Sequence, residues 1–436
     1  MDDHHSASEE IKIKPDAGRD SFRNILSWAL YDFANTIFSG IVVTVYFPLY
    51  VNDLTGRDGD IGNAVLISMI LAGVLVPLMG SVADRTGRTK YYLIRLTVFC
   101  CLATCLMSVP GIMKGESSGK LWFVMAMFIV ANFTYQITLV FYNSLLPVVA
   151  SEERAGFASG LGVGLGYLGL VGALIIAGFV SNHLGMRFTF GTGGVLFLLF
   201  SIPLYLFVPE RIVEKPVELT TGLLKSQGQE ILTTLRTLPA NRSLMFFFLG
   251  NFFIVDALNT MIVMFSVYVE KELEFTGDER NGLLIGLNVS AFVMGVLMGF
   301  ITDRVGSKKT MIVAVICLGA NIFIAGLATS KETLWYSTIV LGAVGVSGIW
   351  VAGRKLLLEL CPKDKVGEYF GIYGMTGKLS SFGTFGFGHI SDAFGRRNAM
   401  LSQLITITLG LFFLLKVTQP STVPLDPEVD SSVKNP

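Results

Sequence analysis

The sequence predicts an all-α membrane protein of twelve transmembrane helices arranged as two pseudo-symmetric six-helix bundles. Three observations lead there. The chain is 52% hydrophobic and only 15% charged over 436 residues, with a mean hydropathy of +0.61. Its apolar residues gather into runs of roughly the 20 residues an α-helix needs to cross about 30 Å of hydrocarbon. One pattern also occurs four times, each copy joining two such runs: a glycine, an acidic or amide side chain four positions on, a glycine three further, then a basic residue. The copies begin at Gly80 (with Asp84 and Gly87), Gly178 (Asn182, Gly185), Gly299 (Asp303, Gly306) and Gly388 (Asp392, Gly395). Four copies among twelve segments imply four three-helix units, the kind of internal repetition from which secondary transporters are built.

The segments in order are 26–50, 62–83, 91–112, 121–147, 156–181 and 189–208, forming a first bundle over 25–208. Segments 243–269, 281–302, 310–329, 333–357, 367–391 and 398–417 form a second over 243–417. Residues 1–24 are polar and charged, without the short apolar core of a signal peptide, and read as a disordered cytoplasmic tail. Residues 209–242 are the one long interruption, punctuated by Pro209, Pro216 and Pro239, and read as a cytoplasmic linker. Within it Leu224, Ile231, Leu235 and Leu238 recur at near-helical spacing. That predicts a short amphipathic helix, lying either on the membrane surface or beneath the bundles. Residues 418–436 form a polar tail. Segments 5 and 11 are rich in glycine (Gly160, Gly162, Gly164, Gly166, Gly169 and Gly172; Gly371, Gly374, Gly377, Gly383, Gly386 and Gly388). In lipid, small residues let helices approach closely, either as fixed packing or as faces that slide.

The formal net charge is zero, so nothing indicates a nucleic-acid partner. Lysine and arginine set orientation. With the amino end inside, the cytoplasmic side holds more than twice as many as the outer side, whose set is Arg57, Lys114, Lys120, Arg187, Lys271, Arg280, Lys331, Arg396 and Arg397. Both termini are therefore expected to be cytoplasmic. Trp28, Trp122 and the pair Trp335-Tyr336 lie near segment ends, where interface aromatics belong. Cys100, Cys101, Cys105 and Cys317 fall inside segments and read as small packing residues. No phosphate-binding loop of the glycine-lysine-serine type occurs, so energy should come from a gradient.

Segment 1 carries Asp32-Phe-Ala-Asn35-Thr36 and segment 7 carries Asp256-Ala-Leu-Asn259-Thr260. Three-residue spacing places each acid and amide on one helix face. By helical rise Asp32 lies roughly 10 Å and Asp256 roughly 15 Å into the membrane. A charged carboxylate there costs on the order of 2.5–3.5 kcal/mol, so each must face a partner or a watery cavity. Segment 4 supplies Asn132, Tyr135, Gln136, Tyr142 and Asn143. The bases available are Lys378, about 14 Å into segment 11, and Arg354 and Lys355, close to Glu359 at the inner end of segment 10. Either an acid forms a static ion pair with one of these, or it is desolvated and protonated during a cycle. The candidate substrate or coupling residues are Asp32, Asn35, Tyr135, Gln136, Asp256, Asn259 and Lys378.

The stretch Gly80 to Lys90, repeated at Gly299 to Lys309, resembles the loop signature of the major facilitator superfamily, and the resemblance covers 25–417. Trp28-Ala-Leu-Tyr-Asp32-Phe-Ala-Asn35 and Gly367-Glu-Tyr-Phe-Gly-Ile-Tyr-Gly374 further resemble the branch containing vacuolar amino-acid effluxers linked to autophagy and their bacterial relatives. The resemblance implies the major facilitator fold, a central cavity lined by helices 1, 4, 7 and 10, and a signature cluster that latches the cytoplasmic side while the outer side is open. The gating candidates are Gly80, Asp84, Arg85, Arg88, Asp303, Arg304 and Lys308. Gly80 and Gly299 remove bulk where another helix must pass. Asp84 and Asp303 can accept hydrogen bonds from arginines or from amides at the start of another helix, and the basic residues face headgroups or acidic partners. The alternative is a charge cluster that only sets topology. The copies at Asn182 and Asp392 read as turn and packing relics.

The expected function is a secondary transporter, not an enzyme. It moves a small polar organic solute, an amino acid or similar, by alternating access in a bacterial inner membrane. It needs no cofactor or metal and is coupled to protons, with sodium the alternative. A lipid or lysolipid translocator and a non-transporting receptor are rivals on the same scaffold. A membrane-embedded transferase would need paired acids on a membrane-edge loop, and the adjacent aspartates Asp2-Asp3 lie in the tail.

Overall fold

The computed structural model describes residues 18–55, 58–109, 117–211, 213, 216–379 and 382–419. Most of both expected tails, and Arg57, Lys114 and Lys215, lie outside them. Eleven helices are long and apolar enough to span a membrane: α1 (Phe22–Val51), α2 (Asn63–Thr86), α3 (Thr89–Leu106), α4 (Gly119–Val149), α5 (Ala155–Leu184), α6 (Arg187–Phe207), α7 (Arg242–Glu272), α8 (Gly277–Val305), α9 (Ser307–Leu327), α10 (Lys331–Leu360) and α12 (Arg396–Leu415). The twelfth crossing is described over two stretches, α11a (Val366–Leu379) and α11b (Phe382–Phe394). An even number of crossings puts both chain ends on one side, the termini face; the opposite side is the far face. Side chains such as Leu66, Val74, Phe99 and Ile175 form an exposed apolar belt, as a lipid solvent requires.

The turn inside each repeat has a physical cause. The second glycine of all four copies takes a positive φ: Gly87 63°, Gly185 102°, Gly306 102° and Gly395 88°. A side chain would be strained there, so glycine is what lets one span stop and the next begin. In α1 the backbone widens to a π-helical stretch over Ser39–Tyr46, directly ahead of Pro48, which brings no amide donor to the ladder.

Packing in the two bundles is parallel. The first packs α1 on α5 and α6, α2 on α4, and α3 on α4 and α6; the second packs α7 on α11b and α12, α8 on α10, and α9 on α10 and α12. The bundles meet along α5–α8 and α2–α11a. Both crossings are glycine-lined at the termini-face half. A Cβ on Gly160 would stand 2.5 Å from the Gly295 carbonyl and 2.7 Å from Gly299 Cα, and one on Gly371 2.5 Å from Pro77 Cα. Gly80 and Gly367 oppose each other so closely that neither tolerates a side chain. Toward the far face the contacts end: Gly172 and Gly178 on α5, Gly73 on α2 and Gly386 and Gly388 on α11b have nothing within 4 Å. The bundles are therefore pressed together at one face and diverge at the other. The segment-5 glycines divide by face, Gly160 and Gly164 toward α8, Gly162, Gly166 and Gly169 toward α1.

The linker contains a helix, Thr221–Thr237, started by Thr220, whose side chain accepts from the Leu223 amide. It packs beneath α2, with Leu223, Gln227, Ile231 and Thr234 turned inward. Overpacking a tight crossing costs about 1–3 kcal/mol. Gly299→Val is thus expected to lower the unfolding temperature in detergent, whereas Gly178→Val, in open space, leaves it in place; equal effects would contradict this packing.

Candidate functional site

At the centre, α1 and α10 bring opposite charges together from different bundles. Arg354 Nη1 donates to Asp32 Oδ2 at 2.8 Å and Nη2 approaches Oδ1 at 3.5 Å. The side chains are 12% and 8% exposed. Asn35, one turn on, donates its amide to Asp32 Oδ1 at 3.0 Å. Aromatic rings enclose the pair. Trp28 stacks on Tyr142 at 4.3 Å and donates its indole N–H to the Tyr142 carbonyl at 2.9 Å, while the guanidinium lies 5.6 Å from the Tyr142 ring. Gly162 makes this possible: a Cβ there would come within 2.8 Å of Asp32 Oδ2 and 2.9 Å of the Tyr142 hydroxyl.

Segment 7 meets its need differently. Asp256 accepts the Gly383 amide at 2.8 Å, at the start of α11b. The carboxylate thereby ties α11b to α7. Thr260 lies 3.4 Å from Thr384 and the Asn259 amide 3.4 Å from the Gly377 carbonyl, tying both pieces of helix 11 to α7.

A third set of contacts closes the termini face. Asp84 accepts the Gly367 and Glu368 amides, each at 2.9 Å, at the start of α11a, and is ion-paired with buried Arg211. Arg211 also donates to the Lys363 carbonyl at 2.7 Å. Asp303 accepts the Gly156 and Phe157 amides at 2.8 and 2.7 Å at the start of α5 and pairs with Lys355 at 2.6 Å. Asp84 and Asp303 thus each cap a helix of the other bundle. The linker helix adds to the first of these joints. Glu230 bridges Arg85 of α2 at 2.9 Å and Lys365, just ahead of α11a, at 2.7 Å, and Ser81 donates to Gln227 at 2.5 Å.

Of the expected residues, Asp32 and Asn35 are joined in the central cluster. Asp256 and Asn259 contact Gly383 of α11b and Gly377 of α11a. Tyr135 packs on Phe38 at 4.8 Å, farther along α1, and Gln136 is half-buried on α4. Of the three bases the sequence offers, Arg354 is the partner of Asp32, Lys355 pairs with Asp303, and Lys378 donates to the Gly374 carbonyl of its own helix at 3.3 Å. The structure corrects Trp28 as well: it is fully buried, not an interface anchor, because its N–H is spent within the core. Among the gating set, Gly80, Asp84, Arg85 and Asp303 join the clamp. Lys308 donates to the Leu415 carbonyl at 2.9 Å, while Arg88 and Arg304 are exposed. Sequence reasoning names Gly162 only as one of the packing glycines of segment 5, and assigns no role to Arg211, Gln227 or Glu230. Only the inward face of the linker helix could have pointed to Gln227, four positions before Ile231.

A family profile described as Major Facilitator Superfamily matches residues 29–385. This chain belongs to the major facilitator superfamily. The transporter is 25% identical over 423 residues to the MFS-type transporter YxiO of Bacillus subtilis (strain 168), covering 91% of this chain and 95% of that one. It shares its fold with a bacterial homologue of the iron transporter ferroportin in an outward-facing state, at a TM-score of 0.72 and 18% identity over 91% and 98% of the two chains. It likewise resembles the proton:xylose symporter XylE, at a TM-score of 0.69 and 16% identity over 91% and 95%.

Two predictions follow from the transporter's charges. Breaking a buried pair by removing one partner costs about 3–5 kcal/mol, so Arg354→Gln or Asp32→Asn alone should destabilise the protein strongly in denaturant unfolding, and the double variant less than the sum; additive losses would mean that the pair is not coupled. The second concerns Glu230. Burial would raise its carboxyl, but the Lys365 and Arg85 charges outweigh burial and hold it below its ordinary value. Its support for the clamp is then complete above about pH 4.3 and fades as pH falls through the lower value. The stability difference between wild type and Glu230→Gln should therefore be full at neutral pH and vanish under strong acid; a constant difference would contradict the bridge.

Proposed function

We propose that this protein is a secondary active transporter that carries a small polar organic solute across a bacterial inner membrane by alternating access, coupled to protons. The observation that carries the reading is the asymmetry of the bundle interface. Helix-capping aspartates and paired glycines join the halves at the termini face, and the halves diverge at the far face. Lysine and arginine are concentrated on the termini face, which supports a cytoplasmic position for it. The conformation is then closed inward and open outward, with Asp32, Asn35 and Arg354 at the meeting point. Switching requires Asp84 and Asp303 to release the starts of α11a and α5 together, a rigid-body rocking of one bundle on the other.

A polar, charged centre supports a soluble solute over a lipid, since lipid passage would need a lateral apolar opening along α5–α8 or α2–α11a, where the termini-face halves are instead tightly closed. Two further supports concern the branch. The stretches Trp28 to Asn35 and Gly367 to Gly374, which resemble the vacuolar amino-acid effluxers, lie respectively at the central pair and at the clamp. That is where residues governing passage belong, and it favours an amino acid or a similar compound as cargo. Proton coupling is supported by ionisable groups held at mid-membrane, which in such proteins mark ion pathways.

Counterflow into proteoliposomes, with panels of amino acids, organic acids and sugars, tests the reading. Saturable exchange of one class, accelerated by a pH gradient, is expected; no exchange of any would contradict it. A cysteine replacing exposed Arg304 should be labelled by an impermeant reagent only from the cytoplasmic side, and labelling only from outside would reverse the orientation.

A further inference from the structure

The charges at the centre restrict which solutes can enter it. Asp32 and Arg354 neutralise each other across the bundle interface at 2.8 Å, nearly out of reach of solvent. From α4 the Tyr142 hydroxyl lies beside both groups, fully buried and without a well-formed hydrogen bond to either. From α11a the Tyr373 hydroxyl is also buried and unbonded. It lies 3.0 Å from where a Cβ on Gly353 would stand, next in sequence to Arg354. From α5 Tyr167 is close enough to interact with both charges. The α6 rings that approach this stretch of α1, Phe197 on Tyr31 and Phe200 on Phe33, are apolar. A buried hydroxyl left unbonded costs about 1–3 kcal/mol, and two beside one guanidinium suit an acceptor with several oxygens.

The two partners differ in what they can do once separated. A cationic solute would have to take Asp32 away from Arg354. A guanidinium cannot lose its proton in a protein, so a buried cation would be stranded, at a large desolvation penalty. An anionic solute would take Arg354 away from Asp32, and a carboxylate freed in this way can accept a proton. Arginine's planar fork also grips a carboxylate through two parallel bonds.

We infer that the solute bears an oxyanion, a carboxylate in the simplest case, which replaces Asp32 on Arg354 with Tyr142 and Tyr373 as additional donors, and that Asp32 binds one proton from the far-face water as it lets go. This rests on the transport reading above. A monoanion such as lactate and one proton together carry no net charge, so its passage is electroneutral, whereas a zwitterion such as alanine carries the proton's charge with it. The exchange also removes the ion pair that spans the bundles, replacing it with a solute that both can hold while they rock.

Matched solutes in proteoliposomes separate the outcomes: lactate, alanine and 1-amino-2-propanol, with phenyllactate, phenylalanine and phenylalaninol as a larger set. The carboxylate members should exchange and the amines should not. Anion flux should rise with an inward proton gradient and respond little to membrane potential. Arg354→Gln should reduce exchange on the order of 100-fold, as expected when a charged hydrogen-bond partner is removed. Asp32→Asn should abolish acceleration by the pH gradient, and its residual exchange should become independent of pH. The double variant Asp32→Asn/Arg354→Gln, which buries no unpaired charge, shows whether lost transport reflects lost folding. Transport of amines, of zwitterions without any proton, or of sugars with Arg354→Gln unaffected would overturn this inference and leave transport standing. Failure of every solute, including amino acids and sugars, in folded wild-type protein would overturn the transport reading itself.

Discussion

Hydrocarbon offers no water to a charge, so every ionic group within the membrane must be answered by the protein itself. The Asp32–Arg354 pair is where that constraint has the most consequence, because its members belong to different bundles. Neither bundle can satisfy its own charge alone. Around this pair the local sequence makes sense: Gly162 gives the carboxylate room, Asn35 orients it, and Trp28 and Tyr142 enclose the guanidinium. The interface that results is polar in the middle and glycine-lined at its edges.

The same logic recurs at the termini face with a different partner. Asp84 and Asp303 face helix starts, whose unpaired amides and positive dipole ends stand in for cations. Such contacts form only when the two helices approach almost to backbone contact, which is why Gly80, Gly367, Gly156 and Gly299 accompany them. Hydrogen bonds of this kind are made or lost as a set, since moving the bundle moves all of them. Asp256 accepts an amide within its own bundle, and so ties α11b to α7 instead of bridging the halves. Two acids with nearly the same local sequence thus have different environments, decided by the helix that passes them.

Much of the fold was legible because its signals are local. Apolar runs mark spans, and the four-fold repeat marks helix turns through a glycine that must adopt a positive φ. The capacity of Asp84 and Asp303 to cap another helix followed from their position at helix ends. What stayed hidden was long-range. Arg354, one of the three bases the sequence offers to the acids, is 322 residues from Asp32, and nothing in its own helix singles it out over Lys355 or Lys378. Nor does the apolar run of helix 11 show that Asp256 accepts the Gly383 amide 127 residues away. Trp28 looked like an interface residue because it lies near a segment end, yet α1 begins at Phe22 and carries the ring into the core.

The Asp32–Arg354 pair joins the two bundles at their centre and, with the helix-capping aspartates, holds them together at the termini face. Spin-label distances test this directly, with one pair of labels at Glu152 and Lys363 on the termini face and a second at Leu184 and Phe394 on the far face. In a variant that neutralises both charges of the pair, the termini-face distance should lengthen in part of the population while the far-face distance shortens in the same proportion. Distributions unchanged from wild type, or both distances lengthening together, would contradict the account.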